Sequence, residues 1–513
     1  MIARTLNEML ARSVERSGSR PAFIFKGQGI SYAEFEETVE RCAAGLAELG
    51  ICKGDTFGIV MRNCPEFVIL SFALSRLGAV AVPVNFLEKA DRIAYIFNDA
   101  EVKGCLTSKS FLRAIHEVQE SVPTLRHIFL REPGGDAPAL ESIYRHPLAE
   151  TAGPEVTADD LALLIYTAGT TGLPKGVMLT QRNLLSCVES CQLAFDLNEK
   201  DRVMCVLPMF HSFAWSTNVI LPLRLGATTV VIESLLPFQP ALKQLWKYKV
   251  TLVCCIPQVY SALVHHVHGP KALLLRLLNP LKLAISGAAP LPGDVQVKFE
   301  KVFGTALLEG YGLTEAAPVV SVNPRYGNHK PGTVGLPLPG VDVKIANDDE
   351  QELETYEIGE VCVRGANVMT GYYKRPEETK EAFTADGWLK TGDLGFLDSD
   401  GYLTLVDRKK DLIIAKGLNI YPQEVETALA AHPAVAEVAV VGVPDASGDE
   451  SVRAFVVLEP DASVKPRELI AFARPSLASY KVPRDVVIVE ELPKNALGKV
   501  LKRELREKAA QAG

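Results

Sequence analysis

No apolar run in this 513-residue chain is long enough to cross a membrane unbroken. The best candidate, residues 67–84, carries Arg76 and breaks at Gly78 and Pro83, so it reads as helix, turn and strand. No two of the ten cysteines stand in C-x-x-C spacing, and Cys254-Cys255 sit in an apolar run as core residues would. That usage fits a reducing cytoplasm. No basic block is present, and the net charge of −8 argues against a general nucleic-acid binder. Residues 1–10 hold no signal-peptide core and 511–513 no lipidation or peroxisomal signal, so a cytoplasmic protein without an integral membrane segment is expected. Peripheral membrane contact and a homodimer remain compatible with all of this. His265-His266-x-His268 lacks a nearby acidic or cysteine partner and reads as a solvated helix end, not a metal centre. What is present is 48% hydrophobic and 23% charged, enough chain for about two to four domains.

The two common nucleotide fingerprints are also missing. There is no G-x-G-x-x-G, and the loop Tyr166-Thr167-Ala168-Gly169-Thr170-Thr171-Gly172-Leu173-Pro174-Lys175-Gly176 fails the P-loop pattern twice. Pro174 stands where the second glycine belongs, and Gly176 where a metal-holding Ser or Thr belongs. Pro174 also disfavours helical geometry at Leu173, so a helix cannot start in the usual place. The loop nevertheless carries phosphate-binding equipment. Its glycines let the backbone approach a ligand, its threonines and amides donate, and Lys175 brings charge. It follows an apolar run, 161–165, that reads as a buried strand.

Residues 1–150 alternate helix and strand patterns. Ser31-x-x-Glu34 is a capping box opening a helix with apolar Phe35, Val39, Cys42, Ala43, Leu46 and Leu49, stopped by Gly50. Strand 58–61, helix 65–77 and strand 79–84 follow, a βαβ rhythm that implies a parallel sheet. Residues 132–160 read as a surface connection. After the loop, strands are predicted at 203–207, 228–232, 252–256 and 281–285. Ligands bind beyond the carboxyl ends of such strands, so the turns 208–215, 286–290 and 309–315 are candidate walls of one site. From about Gly332 the texture becomes short β runs with Pro and Gly. The charged run 407–411 then reads as a turn and hinge, before an α+β pattern: a helix opened by Pro422, strands 435–443 and 452–458, helix 468–477 and strand 486–489. The fold class is α/β, with domain 1–406, hinge 407–411 and domain 412–513.

Three further stretches carry chemistry. Tyr311-Gly312-Leu313-Thr314-Glu315 offers an aromatic plate for a purine and a carboxylate for magnesium. Lys390-Thr391-Gly392-Asp393-Leu394-Gly395 places a carboxylate where it can accept ribose hydroxyls. Pro493-Lys494-Asn495-Ala496-Leu497-Gly498-Lys499 puts a lysine near the C-terminus.

In this order and spacing, these stretches resemble the adenylate-forming superfamily of acyl- and aryl-CoA synthetases, luciferases and adenylation domains, over residues 20–505 and nearest to fatty-acid–CoA ligases. The resemblance implies a large N-terminal domain of two α/β subdomains plus a small β subdomain, then a small mobile α+β domain. It implies ATP, Mg2+ and coenzyme A as cofactors and co-substrates, and a fatty or other small carboxylic acid as substrate. Thr167, Ala168, Gly169, Thr170, Thr171, Gly172 and Lys175 would surround the phosphates, with Thr170 and Glu315 at the metal. Ser286, Gly287, Ala288, Ala289, Tyr311 and Gly312 would hold the adenine, and Thr314 would touch the α-phosphate. Asp393 and Arg408 would hold the ribose, Lys410 would be the hinge, and Gly417 would flank the pantetheine channel. His211, Phe213, Trp215 and Gly312 would line the acyl site, and Lys499 would reach the reacting carboxylate.

The sequence departs from the family at Ala168, where Ser is common, and at Gln181, where His is frequent. The first removes a hydroxyl but keeps an amide; the second is read as structural. An acyl-AMP ligase loading a carrier protein, a P-loop phosphotransferase yielding ADP, and a non-catalytic nucleotide or lipid binder are the alternatives. The absence of a Ser/His/Asp or Cys/His set agrees with chemistry that needs no protein nucleophile.

Overall fold

The computed structural model describes residues 3–145, 154–168, 173–234, 238–265, 276, 278–415, 418–444, 450–494 and 500–511. The chain divides into two compact units, Met1–Asp342 with Val363–Leu389, and Val343–Cys362 with Lys390–Gly513.

The first unit is built on two sheets. The seven-stranded sheet runs Gly371–Tyr372, Pro174–Thr180, Leu161–Ala168, Val80–Pro83, Thr56–Val60, Gly104–Thr107, His127–Leu130. Its last five strands pair in parallel, as the βαβ rhythm requires. The capping box is complete: Ser31 accepts from Glu34 N, Glu34 reaches back to Ser31 N, and the helix covers Tyr32–Glu48. Pro65 occupies the first turn of the helix Pro65–Arg76, where its missing N–H costs nothing. The segment 67–84 is helix, turn and strand as predicted.

The nine-stranded sheet runs Leu336–Pro337, Val319–Val322, Leu307–Gly312, Leu283–Ser286, Leu252–Cys255, Arg202–Cys205, Thr228–Val231, Pro21–Phe25, Gln28–Ser31. Its first two strands in sequence are a surprise of pairing, not of type. Pro21–Phe25 lies parallel to Thr228–Val231, so the start of the chain joins the sheet built mostly from residues after 200. Periodicity reports which face is apolar and says nothing of the partner. Leu336–Pro337, in the stretch of short β runs with Pro and Gly that begins near Gly332, extends this sheet beside Val319–Val322.

The second unit holds most of a four-stranded sheet of Val341–Ala346, Gly359–Gly365, Leu389–Leu397 and Leu403–Arg408. It also holds the α+β pattern expected near the C-terminus. Pro422–Ala430 is a helix, and Val435–Pro444, Glu450–Leu458 and Asp485–Ile488 form one sheet. The predicted helix 468–477 is shorter, Pro466–Ala473 followed by a 3-10 turn at Arg474–Ser476, because Pro475 interrupts it. Among the described residues no helix is long and apolar enough to span a membrane.

Candidate active site

The Thr/Gly loop joins two antiparallel strands, not a strand to a helix. Leu161–Ala168 and Pro174–Thr180 pair from Leu161↔Thr180 to Ala168↔Pro174. Residues 169–172, including Gly169, Thr170, Thr171 and Gly172, lie outside the described residues. Thr167 pairs with Lys175 across the hairpin, so both stand at its base. Lys175 Nζ lies 3.0 Å from Glu378 Oε2 and 5.2 Å from the centroid of the Tyr372 ring.

At the carboxyl ends of Leu252–Cys255, Leu283–Ser286 and Leu307–Gly312 is a partly open cavity. His211, Phe213, Gly287, Ala288, Tyr311, Gly312 and Thr314, all named from sequence, line it together. Ser286 lines it as well, fully buried, and its hydroxyl has no hydrogen-bond partner among the described residues. The turn that carries Ala288 holds it at φ +68°, a left-handed conformation few side chains adopt. A Cβ on Gly312 would stand 2.2 Å from the Pro318 carbonyl oxygen, so only glycine fits there. Ser212 and Thr314 share a hydrogen bond of 3.1 Å, which ties the His211 turn to the Thr314 turn. Phe213 N donates to His211 Nδ1 at 3.3 Å. That leaves the proton of a neutral ring on Nε2.

Beyond Phe213 the chain forms a buried π-helical stretch, Ala214–Ile220, where a turn reaching Trp215 was expected. Such stretches recur at functional sites. Trp215 is 1% exposed, packs 5.7 Å from the Phe67 ring and is not among the residues lining this cavity. Sequence reasoning missed several wall residues, among them Phe195, Thr217, Cys254 and Val322. Cys254 was read as core. It is buried and also faces the cavity, and burial pushes its thiol up to about 12, so it stays protonated. Periodicity gives burial for both kinds of residue and cannot separate core from cavity wall.

Glu309, next to this turn, accepts from Leu291 N at 2.9 Å and braces the segment carrying Ala288 and Ala289. Burial pushes its carboxyl up to about 7 from an ordinary 4.5, against a smaller opposing pull from the Leu291 N–H. A raised native value means the folded state holds the proton more tightly. The associated stability is full below 4.5 and is lost as pH rises through about 7. Melting temperature should therefore fall for the wild type relative to Glu309→Gln between about pH 5 and about pH 8. Parallel melting curves across that range would contradict the assignment.

In the second unit, Asp393 and Arg408 face each other in one β-ladder, and Arg408 Nε lies 2.7 Å from Asp393 Oδ1. Asp393 is buried. The charged run 407–411 is paired more than solvated. Asp407 accepts from Gln423 N at 2.8 Å, Lys409 lies 2.9 Å from Glu360 and Asp411 lies 2.5 Å from Arg506. Lys410 is exposed. Gly417 and Lys499 lie outside the described residues, as do His266 and His268; His265 is exposed at the end of the helix Pro257–His265. Gln181 is buried, accepting from Leu6 N at 3.0 Å and donating to Ser75 at 2.9 Å, which is the structural role expected of it.

A mostly parallel sheet with a cavity at its carboxyl ends, lined by Tyr311 and by the Ser286–Ala288 turn, is the frame of a ligand-binding α/β protein. The chain belongs to the AMP-binding enzyme family: that family's profile matches residues 10–373, and the profile of the AMP-binding enzyme C-terminal domain matches 424–499. It is 36% identical to the long-chain-fatty-acid–CoA ligase of Salmonella typhimurium over 538 residues, covering 99% of this chain and 95% of that protein. It is 36% identical to the feruloyl-CoA synthase of an Amycolatopsis species over 482 residues, covering 94% of each. The ATP-bound structure of MatB from Rhodopseudomonas palustris superposes with a TM-score of 0.90 at 31% identity, covering 99% of both chains.

Proposed function

We propose that this chain is an ATP-dependent acid–CoA ligase that makes an acyl-adenylate and then an acyl-CoA, and that its acid is a medium-to-long-chain fatty acid. The observation that carries the reading is the convergence of His211–Phe213, Ser286–Ala288 and Tyr311–Thr314 on one cavity, in a chain of the AMP-binding family. Tyr311 stacks on the adenine above the Gly287–Ala289 turn, and Thr314 donates to the α-phosphate. Thr167 and Lys175 hold the outer phosphates at the hairpin, and Asp393 with Arg408 binds the ribose hydroxyls.

Glu315 follows Thr314, and among the described residues no cluster of three or more metal-binding side chains exists. A single carboxylate beside a triphosphate suits Mg2+, which keeps its waters and takes one or two carboxylates plus phosphate oxygens. Bound there, Mg2+ would neutralise phosphate charge; Glu315 holds it, and Thr170 is the second ligand proposed from sequence.

A carboxylate oxygen of the acid attacks the α-phosphorus, and pyrophosphate leaves. Lys499 offsets the negative charge that both partners carry and aligns them. The CoA thiol then attacks the acyl carbon, and AMP leaves with the bridging oxygen. Gly417 flanks the thiol's path, and domain 412–513 turns about the exposed Lys410 between the two steps. The protonated Cys254 takes no covalent part. The fold's free cysteines, all ten of them, agree with work in the cytoplasm.

The apolar wall residues Phe195, Phe213 and Val322 support an alkyl tail. The likeness to a feruloyl-CoA synthase supports a second reading, an aryl acid. AMP release against acids of graded length separates them. On the first reading kcat/KM rises about fourfold per added methylene, the equivalent of about 0.8 kcal/mol, until the chain fills the pocket. Faster turnover of a benzoate or cinnamate than of every fatty acid of about 6 to 18 carbons would establish the second. Comparing CoA with a carrier-borne pantetheine as acceptor tests the carrier-protein alternative.

A further inference from the structure

The two-residue strand Gly371–Tyr372 closes the edge of the seven-stranded sheet, pairing Tyr372 with Val177 on the strand that carries Lys175. Tyr373 N donates to Gly176 O at 2.8 Å and extends the contact. The backbone thus fixes Tyr372 beside the base of the Thr/Gly hairpin. Its half-buried side chain makes two contacts of opposite kind. The ring lies under the Lys175 ammonium, 5.2 Å from centroid to Nζ. The hydroxyl donates to Glu315 Oε1 at 3.1 Å. Glu378, from the helix Pro376–Ala382, also pairs with Lys175 at 3.0 Å.

A tyrosine has only two side-chain torsions, and here its ring and its hydroxyl each have a charged partner. A cation is attracted to the face of the ring, and a carboxylate to the hydroxyl proton. One rigid side chain therefore sets the placement of a cation and an anion that come from distant parts of the sequence. We propose that Tyr372 is a positioning residue for the metal–triphosphate group: its ring holds Lys175 for the phosphates, and its hydroxyl orients the Glu315 carboxylate toward the cation. The inference rests on the roles given above to Lys175 and Glu315.

The two contacts come apart in two variants. Tyr372→Phe keeps the ring and removes the hydroxyl; Tyr372→Leu removes both. Each is measured, with Glu315→Gln as control, by calorimetric binding of ATP without metal and by Mn2+ titration of the ATP complex followed by electron paramagnetic resonance. Partners that orient a metal-binding side chain are worth about 10- to 100-fold in metal affinity. Tyr372→Phe should therefore weaken Mn2+ binding about tenfold and leave metal-free ATP affinity within about twofold. Tyr372→Leu should add a loss of about threefold in metal-free ATP affinity through Lys175. Unchanged Mn2+ affinity in Tyr372→Phe, with a clear loss in Glu315→Gln, would overturn this inference alone. Unchanged Mn2+ affinity in Glu315→Gln would overturn both the inference and the role of Glu315 beneath it. A merely structural Tyr372 would lower the melting temperature without moving either affinity.

Discussion

Lys499→Ala is expected to lower acyl-AMP formation by about 10²- to 10³-fold while leaving thioester formation from supplied acyl-AMP within about twofold of the wild type. The size follows from charge. Adenylation brings a carboxylate against a polyphosphate, and the cation that offsets this repulsion acts most strongly where charge develops in the transition state. Thioester formation has no such encounter, because the adenylate is already joined and the attacking group is a thiol. If Lys410 is the hinge, as proposed, Lys410→Pro should show the converse pattern, because a fixed φ there would hold domain 412–513 in one position. Each half-reaction is assayed separately, with supplied acyl-AMP for the second. Equal loss of both in a folded Lys499→Ala protein would end the division of labour proposed for the two steps.

Glu315→Gln is the second large effect. The substitution keeps shape and, on the proposed role of Glu315, removes one negative charge beside the metal. The phosphates still bind the ion, so the ligand set is weakened, not abolished. Activity at low Mg2+ should fall about a hundredfold, the scale of a cation's contribution to charge stabilisation, and raised Mg2+ should restore part of it. The Tyr372 hydroxyl that now donates to Oε1 at 3.1 Å would meet either the amide oxygen or the amide nitrogen, depending on how the side chain turns. Wild-type activity in the variant at low Mg2+ would remove Glu315 from the metal.

The sequence made element types legible, and partners much less so. Ser31 and Glu34 signal a helix start by local chemistry, and both capping bonds are present. The βαβ rhythm likewise follows from local patterns of burial. The placement of Pro21–Phe25 beside Thr228–Val231 depends on a match between surfaces that are distant in sequence. The same limit governs the site. Tyr311, Gly312 and Thr314 were picked out together because they sit in one short stretch, and they line one cavity; the role of Glu315 beside them remains a proposal. Asp393 and Arg408 were readable as separate motifs, and the β-ladder supplies the reason they meet. Tyr372 carries no local signal: a Gly-Tyr-Tyr turn before Pro376 looks like any strand edge, and the role proposed for it rests on two partners far along the chain. Trp215 shows the reverse case. An aromatic four residues after His211 suggests a cavity wall, but the π-helical stretch turns it inward against Phe67.

The central claim is that the acid becomes an adenylate before it becomes a thioester. The most direct measurement is the fate of 18O in a labelled fatty acid carboxylate during turnover with ATP, Mg2+ and CoA. If the carboxylate attacks the α-phosphorus and the thiol later cleaves the acyl C–O bond, one 18O per turnover appears in the phosphate of AMP and none in pyrophosphate. Label in inorganic phosphate with ADP as co-product, or acyl-CoA formed without label in AMP, would contradict it.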